Sequence, residues 1–225
     1  MRIKLCIVVL LLGLVNANAD PVVLNFEDHA SMGYVSGTVI TESAKLSDDY
    51  LSSFGVVFSS GDPYVAVIRL GAGHATSGSN GLGGSNAGKL TYSTSYPIVA
   101  TFFDPTQTTV SAVTDFVSLR TDLWSDGDPM ILKGYNVLGQ LIATDTAADT
   151  GGVTLSLSVP GIHSIQFAGR SVAVDDFTFN PVEAVPEPTT GVLFAGIGLG
   201  AVWFRQSRRG ISMAFMLMKL KKLNR

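Results

Sequence analysis

Between Val153 and Val159 apolar residues and hydroxyls alternate without a break: Val153, Leu155, Leu157 and Val159 on odd positions, Thr154, Ser156 and Ser158 on even ones. A period of two puts one set on a buried face and the other in water, the signature of a strand in a half-solvated antiparallel sheet. Similar short β-prone runs, broken by Gly, Pro, Ser, Asn and Asp, recur over residues 22–26, 55–59, 64–69, 89–92, 98–103, 110–120, 130–137, 140–144, 162–168 and 172–179. No stretch before residue 189 keeps a 3.6-residue period for three turns. Asn136 to Gln140 reads as a hairpin turn closed by Gly139 with positive φ. The pattern predicts an all-β body, and two packed antiparallel sheets are the economical way for so many short strands to bury their apolar faces. Gly71 to Gly88, with seven glycines, reads as a long mobile surface loop.

Both ends of the chain differ from this body. Met1-Arg2-Ile3-Lys4 is positive, residues 5–15 are apolar, and Ala17-Asn18-Ala19 is an A-x-A cleavage site. These are the three parts of a signal peptide over residues 1–19, so the mature protein is expected to begin at Asp20, after signal peptidase, outside the inner membrane. The body, residues 20–184, holds six Lys/Arg against seventeen Asp/Glu, a net charge of −11. So acidic a surface repels a phosphate backbone and argues against nucleic acid as a partner. The single cysteine, Cys6, lies in the leader, so the body has no disulfide, thiolate metal site or cysteine nucleophile.

Several local patterns suggest chemistry and fail on context. Residues 83–90, Gly-Gly-Ser-Asn-Ala-Gly-Lys-Leu, come within one residue of a phosphate-cradling loop, but Leu90 stands where a magnesium-binding hydroxyl is needed and a strand follows where a helix is required. The start of this run also fails as a nucleophile elbow, which joins a parallel strand to a helix. His29, His74 and His163 are scattered singly without zinc-ligand spacing, and His163 shares parity with Ile165 and Phe167, as a satisfied sheet histidine would.

The carboxylates offer more. Glu27 and Asp28 end the first expected strand and Asp175 and Asp176 lie in the last, and first and last strands are commonly neighbours in sandwiches. Hard oxygens from both would suit a structural Ca²⁺ tying the chain ends together; the alternative is that the aspartates cap a turn or face solvent. A second cluster sets Trp124 among Asp122, Asp126 and Asp128. A planar ring beside polar groups is what sugar recognition needs, and Tyr64 or Tyr92 would add a second ring, whereas a Trp at a strand end also commonly packs at a core edge. The same acids offer a carboxylate pair for glycoside hydrolysis.

Beyond the body, Val185-Pro186-Glu187-Pro188 precedes a sixteen-residue apolar run, Thr189 to Phe204, and then Arg205, Arg208 and Arg209. As a helix the run spans about 24 Å, short for a hydrocarbon core of about 30 Å, and the arginines form a basic stop. Motif, span and arginines, residues 185–209, resemble the PEP-CTERM sorting signal of Gram-negative bacteria. The resemblance implies a transmembrane sorting helix, transient anchoring in the inner membrane, cleavage near the motif by exosortase, and delivery to the outer surface or the extracellular polysaccharide matrix. Residues 210–225 extend past the point where such signals usually end. The body is similar, more loosely, to the sandwich domains found upstream of such tails, which resemble carbohydrate-binding modules; Leu24-Asn25-Phe26-Glu27, Phe54-Gly55-Val56-Val57-Phe58, Gly134 to Leu141, Ile162 to Phe167 and Val174 to Phe179 carry the likeness. It implies a single jelly-roll-like antiparallel β-sandwich, a structural calcium, and no catalytic residue. The sequence thus leads to a non-enzymatic, exported, glycan-binding protein, with a secreted carboxylate-dependent hydrolase and a purely structural matrix protein as the alternatives.

Overall fold

The computed structural model describes residues 20–185 apart from Ala72, Asp126 and Ser171. The cleavage residues Ala17 and Ala19, the motif residues Pro186, Glu187 and Pro188, and Arg205, Arg208 and Arg209 lie outside the described residues. No helix among the described residues is long and apolar enough to cross a membrane. One compact unit ends at Ala184 and a second starts at Val185, its only described residue.

The first half of the body contributes β1 (Val22–Leu24), β2 (Met32–Gly33), β3 (Lys45–Leu46), β4 (Val56–Ser59), β5 (Val65–Arg69), β6 (Asn80–Asn86), β7 (Lys89–Thr91) and β8 (Ile98–Asp104). The second half adds β9 (Gln107–Thr121), β10 (Pro129–Tyr135), β11 (Leu141–Ala148), β12 (Thr154–Ile162), β13 (Ser164–Ala168), β14 (Val174–Phe179) and β15 (Glu183–Ala184). Helix is confined to short turns such as α1 (Leu51–Phe54), ended by Gly55 in the left-handed region. The strands form two mainly antiparallel sheets. One runs β11–β10–β13–β8–β4. The other runs β12–β9–β14, continues through β6 to β5, and ends with β3 antiparallel and β2 parallel on the far side of β5. The 15-residue β9 passes from one to the other, pairing β8 near its start and β14 and β12 farther on.

The first strand pairs with β14, the strand that carries Asp175 and Asp176, as expected, Val22 opposite Phe179 and Leu24 opposite Phe177; the short β15 pairs with β9 instead. Between the sheets Phe58 and Phe102 meet Phe177 and Phe179, with Phe58 5.4 Å from Phe177 and Phe102 5.1 Å from Phe179, in tilted and edge-on arrangements that aromatic rings favour. Each such ring, fully buried, contributes about 1.5–3 kcal/mol of apolar transfer. In β12, Leu155 and Leu157 are buried while Thr154, Ser156 and Ser158 are exposed, as the period of two requires. Strand β5 is buried on both faces: Val65 and Val67 enter the main core, and Ala66 and Ile68 enter a smaller one with Met32, Ile40, Leu70 and Leu90.

The glycine-rich segment corrects the expectation of a long mobile loop. Residues 80–86 are β6, a buried strand between β14 and β5. Its glycines are there for close packing: a Cβ on Gly83 would come 2.4 Å from Leu90 Cδ1, and one on Gly84 3.0 Å from the Tyr96 carbonyl oxygen. Residues 83–90 form the β6–β7 hairpin, with Asn86 opposite Lys89 and positive φ at Ala87 and Gly88. The Ser85 hydroxyl is buried and donates to the Tyr64 carbonyl, so neither a phosphate cradle nor a nucleophile elbow exists here.

Candidate functional site

Two clusters were expected from the sequence, and the structure brings part of each, Glu27, Asp175 and Asp176 from one and Trp124 from the other, against the 74–80 segment. In the first, β14 bulges after Asp175, and Asp176 takes φ 44°. This aims both side chains at residues 76 and 77. Asp175, fully buried, accepts the backbone amides of Thr76 at 2.7 Å and Ser77 at 2.9 Å through one oxygen, together with the Thr76 hydroxyl at 2.7 Å. Its other oxygen accepts the Asp176 amide at 2.8 Å. Asp176 accepts the Ser77 hydroxyl at 2.5 Å. Glu27 takes the amides of Ser79 at 2.7 Å and Asn80 at 2.6 Å. Gly78, at φ +54°, makes room for it, since a Cβ there would lie 2.3 Å from the Glu27 carboxylate.

Asp28 does not join these acids. It faces the other way and accepts the Tyr50 hydroxyl at 2.5 Å. Burial, reinforced by this carboxylate, drives the Tyr50 phenol well above its ordinary pKa. The four carboxylates expected around one cation therefore do not converge: turning Asp28 to Tyr50 satisfies a buried phenol that would otherwise lack an acceptor. Among the described residues no three His, Cys, Asp or Glu side chains come together as a metal group. What the 76–77 segment offers a hard cation is oxygen alone, from Asp175, Asp176, Thr76 and Ser77, short of the six to eight that calcium takes.

In the second cluster Trp124 is 49% exposed. Its indole lies flat on the His74 imidazole, centroids 4.6 Å apart and planes 14° apart. The Leu123 amide donates to the His74 carbonyl at 2.8 Å, fixing one loop to the other. A third loop joins them: the Ser125 hydroxyl and the Gly127 amide donate to the Asp149 carbonyl, and the Asp149 amide donates to the Asp128 carbonyl. Three short segments, 73–77, 121–128 and 149–152, thus hold one ring at the surface.

The acids around the ring have separate duties, contrary to the expected cluster. Asp122 is buried and accepts the Ala173 amide at 3.3 Å, because the alternation of β9 breaks at its end, where Thr121 and Asp122 are both buried. Asp128 pairs with Arg170, at 3.4 Å. Asp126 lies outside the described residues. Of the candidate second rings, Tyr64 sits under the Lys45 ammonium, 4.7 Å from the ring centroid, whereas Tyr92 donates its hydroxyl to the Tyr34 carbonyl at 2.8 Å. Burial raises the Tyr92 pKa, with the Asp122 charge adding to the shift. His163 is a satisfied sheet histidine, its Nδ1–H directed at the Ala112 carbonyl at 2.9 Å.

No protein-family model and no curated protein matches the chain. Among solved structures it is similar to a DUF4465 family protein from Bacteroides caccae, at 12% identity and a TM-score of 0.37 over 74% of this chain and 100% of that one. It is also similar to the N-terminal CBM22-1–CBM22-2 tandem domain of Paenibacillus barcinonensis Xyn10C, at 15% identity and a TM-score of 0.35 over 75% of this chain and 47% of that one. A third is the arabinose-bound α-L-arabinofuranosidase MgGH51, at 12% identity and a TM-score of 0.31, where the match covers 66% of this chain and 26% of that one. The sandwich described above stands on its own strand pairing. The site rests on the geometry of this chain.

Sequence reasoning picked out Trp124 but missed His74, its partner, and Arg170, the partner of Asp128. His74 lies fifty residues from Trp124 and Arg170 forty-two from Asp128, and no local pattern marks them.

Proposed function

We propose that the protein is an exported, non-catalytic, jelly-roll-like β-sandwich that binds glycans in the cell envelope or extracellular polysaccharide matrix. Its signal peptide and its PEP-CTERM-like tail supply the route: signal peptidase, transient anchoring in the inner membrane, then exosortase. The observation that carries the binding reading is the half-exposed Trp124 stacked on His74. A ring fixed in this way presents an apolar face without losing side-chain freedom on binding, which favours stacking on the C–H face of a sugar. A binding role also suits the acids, because Asp122 is buried against the Ala173 amide and Asp128 is paired with Arg170, whereas hydrolysis needs two carboxyl groups facing one substrate bond. Of the calcium ligands expected from the sequence, Glu27, Asp28, Asp175 and Asp176, this reading keeps Asp175 and Asp176, which would exchange the Thr76 and Ser77 hydroxyl donors for the ion, with backbone carbonyls and water completing its shell.

The test is glycan-array binding by the mature protein and by Trp124→Ala. Loss of about tenfold or more in affinity is expected, as for truncation of a central aromatic anchor. Equal binding by both proteins would remove the ring from the site, and hydrolysis of a bound polysaccharide would replace the reading with a catalytic one.

A further inference from the structure

Beside the Trp124 loop lies an open groove of about 350 Å³ lined by Ser36, Thr91, Tyr92, Ser93, Thr94 and Arg170. Its size sits at the lower end of the roughly 300–1,000 Å³ typical of small-ligand sites. Three parts of the chain build it: the turn after β2, the end of β7 with the residues that follow, and the connection between β13 and β14. Tyr92 is anchored through its hydroxyl to Tyr34, so the ring forms a fixed wall. Four of the six lining side chains are Ser or Thr, whose hydroxyls can each both donate and accept. Arg170, the one cation in the lining, is held by Asp128, which lies four residues beyond Trp124. The Arg170–Asp128 pair therefore joins the groove to the aromatic platform.

We propose that this groove binds an uncharged saccharide and discriminates against uronate-bearing and other anionic glycans. The inference rests on the glycan-binding reading above and adds to it a second subsite and a ligand class. Hydroxyl side chains match sugar hydroxyls in both hydrogen-bonding senses, and a guanidinium beside a carboxylate supplies a donor and an acceptor for a neighbouring pair of hydroxyls. A carboxylate approaching Arg170 meets Asp128 at the same place, so like charges face each other. At physiological salt only charges within about 8 Å are felt strongly, and the body's net charge of −11 adds repulsion rather than relief. The discrimination is thus built from an attractive lining and a repulsive charge in one site.

The experiment measures binding of the mature protein to neutral polysaccharides (β-glucan, galactomannan, arabinoxylan and dextran) and to polygalacturonate, at about 150 mM ionic strength. Binding to at least one neutral polymer and at least tenfold weaker binding to polygalacturonate are expected. Thr94→Trp, at an exposed position, fills the groove without entering the core and should lower neutral binding at least tenfold. Asp128→Asn releases Arg170 and should raise polygalacturonate binding at least fivefold. Polygalacturonate bound as tightly as the neutral polymers, or neutral binding unchanged in Thr94→Trp, would overturn the groove assignment while leaving glycan binding intact. Failure to bind any polymer would overturn both. A polygalacturonate affinity unmoved by Asp128→Asn would overturn the charge argument for discrimination.

Discussion

One oxygen of Asp175 receives the backbone amides of both Thr76 and Ser77, so a buried side chain in the last long strand holds in place the segment that carries His74. Hydrogen bonds to a charged acceptor contribute about 1.5–3 kcal/mol each, and unsatisfied buried amides cost about 1–3 kcal/mol. Asp175→Ala is therefore expected to destabilise the protein by about 3 kcal/mol or more, and to loosen the Trp124–His74 stack. Urea denaturation and tryptophan fluorescence measure the two effects; a variant as stable as the parent would mean that the amides find other acceptors.

Packing around β6 predicts a sharp contrast between two glycines. A Cβ on Gly84 would lie 3.0 Å from the Tyr96 carbonyl and 3.1 Å from the Thr91 carbonyl, whereas one on Gly33 meets nothing within 4 Å. Gly84→Ala should cost about 1–3 kcal/mol as an overpacked site, and Gly33→Ala should stay within about 0.5 kcal/mol of the parent. Similar denaturation midpoints for both variants would contradict the packing.

Alkaline stability follows from Tyr50 and Tyr92, whose pKa values burial raises above the ordinary 10.0. Below that value both states keep the phenolic proton and the contribution is complete. Above it the unfolded chain releases the proton first, so stability falls as pH rises beyond about 10. Melting temperatures measured from pH 8 upward (about two units below and one above the unfolded value) should show this fall, and Tyr50→Phe should make it shallower. A slope identical to that of the parent would remove Tyr50 as a cause.

For the calcium proposal, binding to the folded state alone stabilises by mass action. EDTA is expected to lower the melting temperature, and Asp176→Ala should abolish the difference between chelated and calcium-replete protein. An identical melting curve with and without EDTA would exclude a structural calcium.

For the sorting proposal, intact mass of the protein from its native host should correspond to a chain beginning at Asp20 and lacking the residues after about Glu187. Deleting exosortase should restore the mass of the tail. Finding Arg225 on the mature protein in an exosortase-positive host would refute processing.

The strands that alternate were readable from the sequence because the sandwich solvates one face: β12 announces itself through Leu155 and Leu157 set against Ser156 and Ser158. Strand β6 was not, because Gly81, Gly83 and Gly84 serve a buried strand by having no side chain, and composition alone cannot tell that use from a flexible loop. The pairing of first and last strands could be anticipated, yet the direction of each acid within it could not. Whether Asp28 turns to Tyr50 and Asp122 to Ala173 depends on the turn after β1 and on the end of β9, which are settled by tertiary packing. The His74–Trp124 stack lay beyond sequence reasoning for the same reason: fifty residues separate two rings that only the folded loops bring together.

The pairing of β1 with β14 also sets a timetable. Val22, Val23 and Leu24 have no partner until Phe177, Thr178 and Phe179 have been made, and β14 runs between β9 and β6 in the interior of its sheet. Nearly the whole body must therefore be delivered before that sheet can close. Pairing across so long a separation is slow, and the unfinished chain exposes strand edges as it waits. Completion belongs to the last residues of the body, those that directly precede the tail in the sequence.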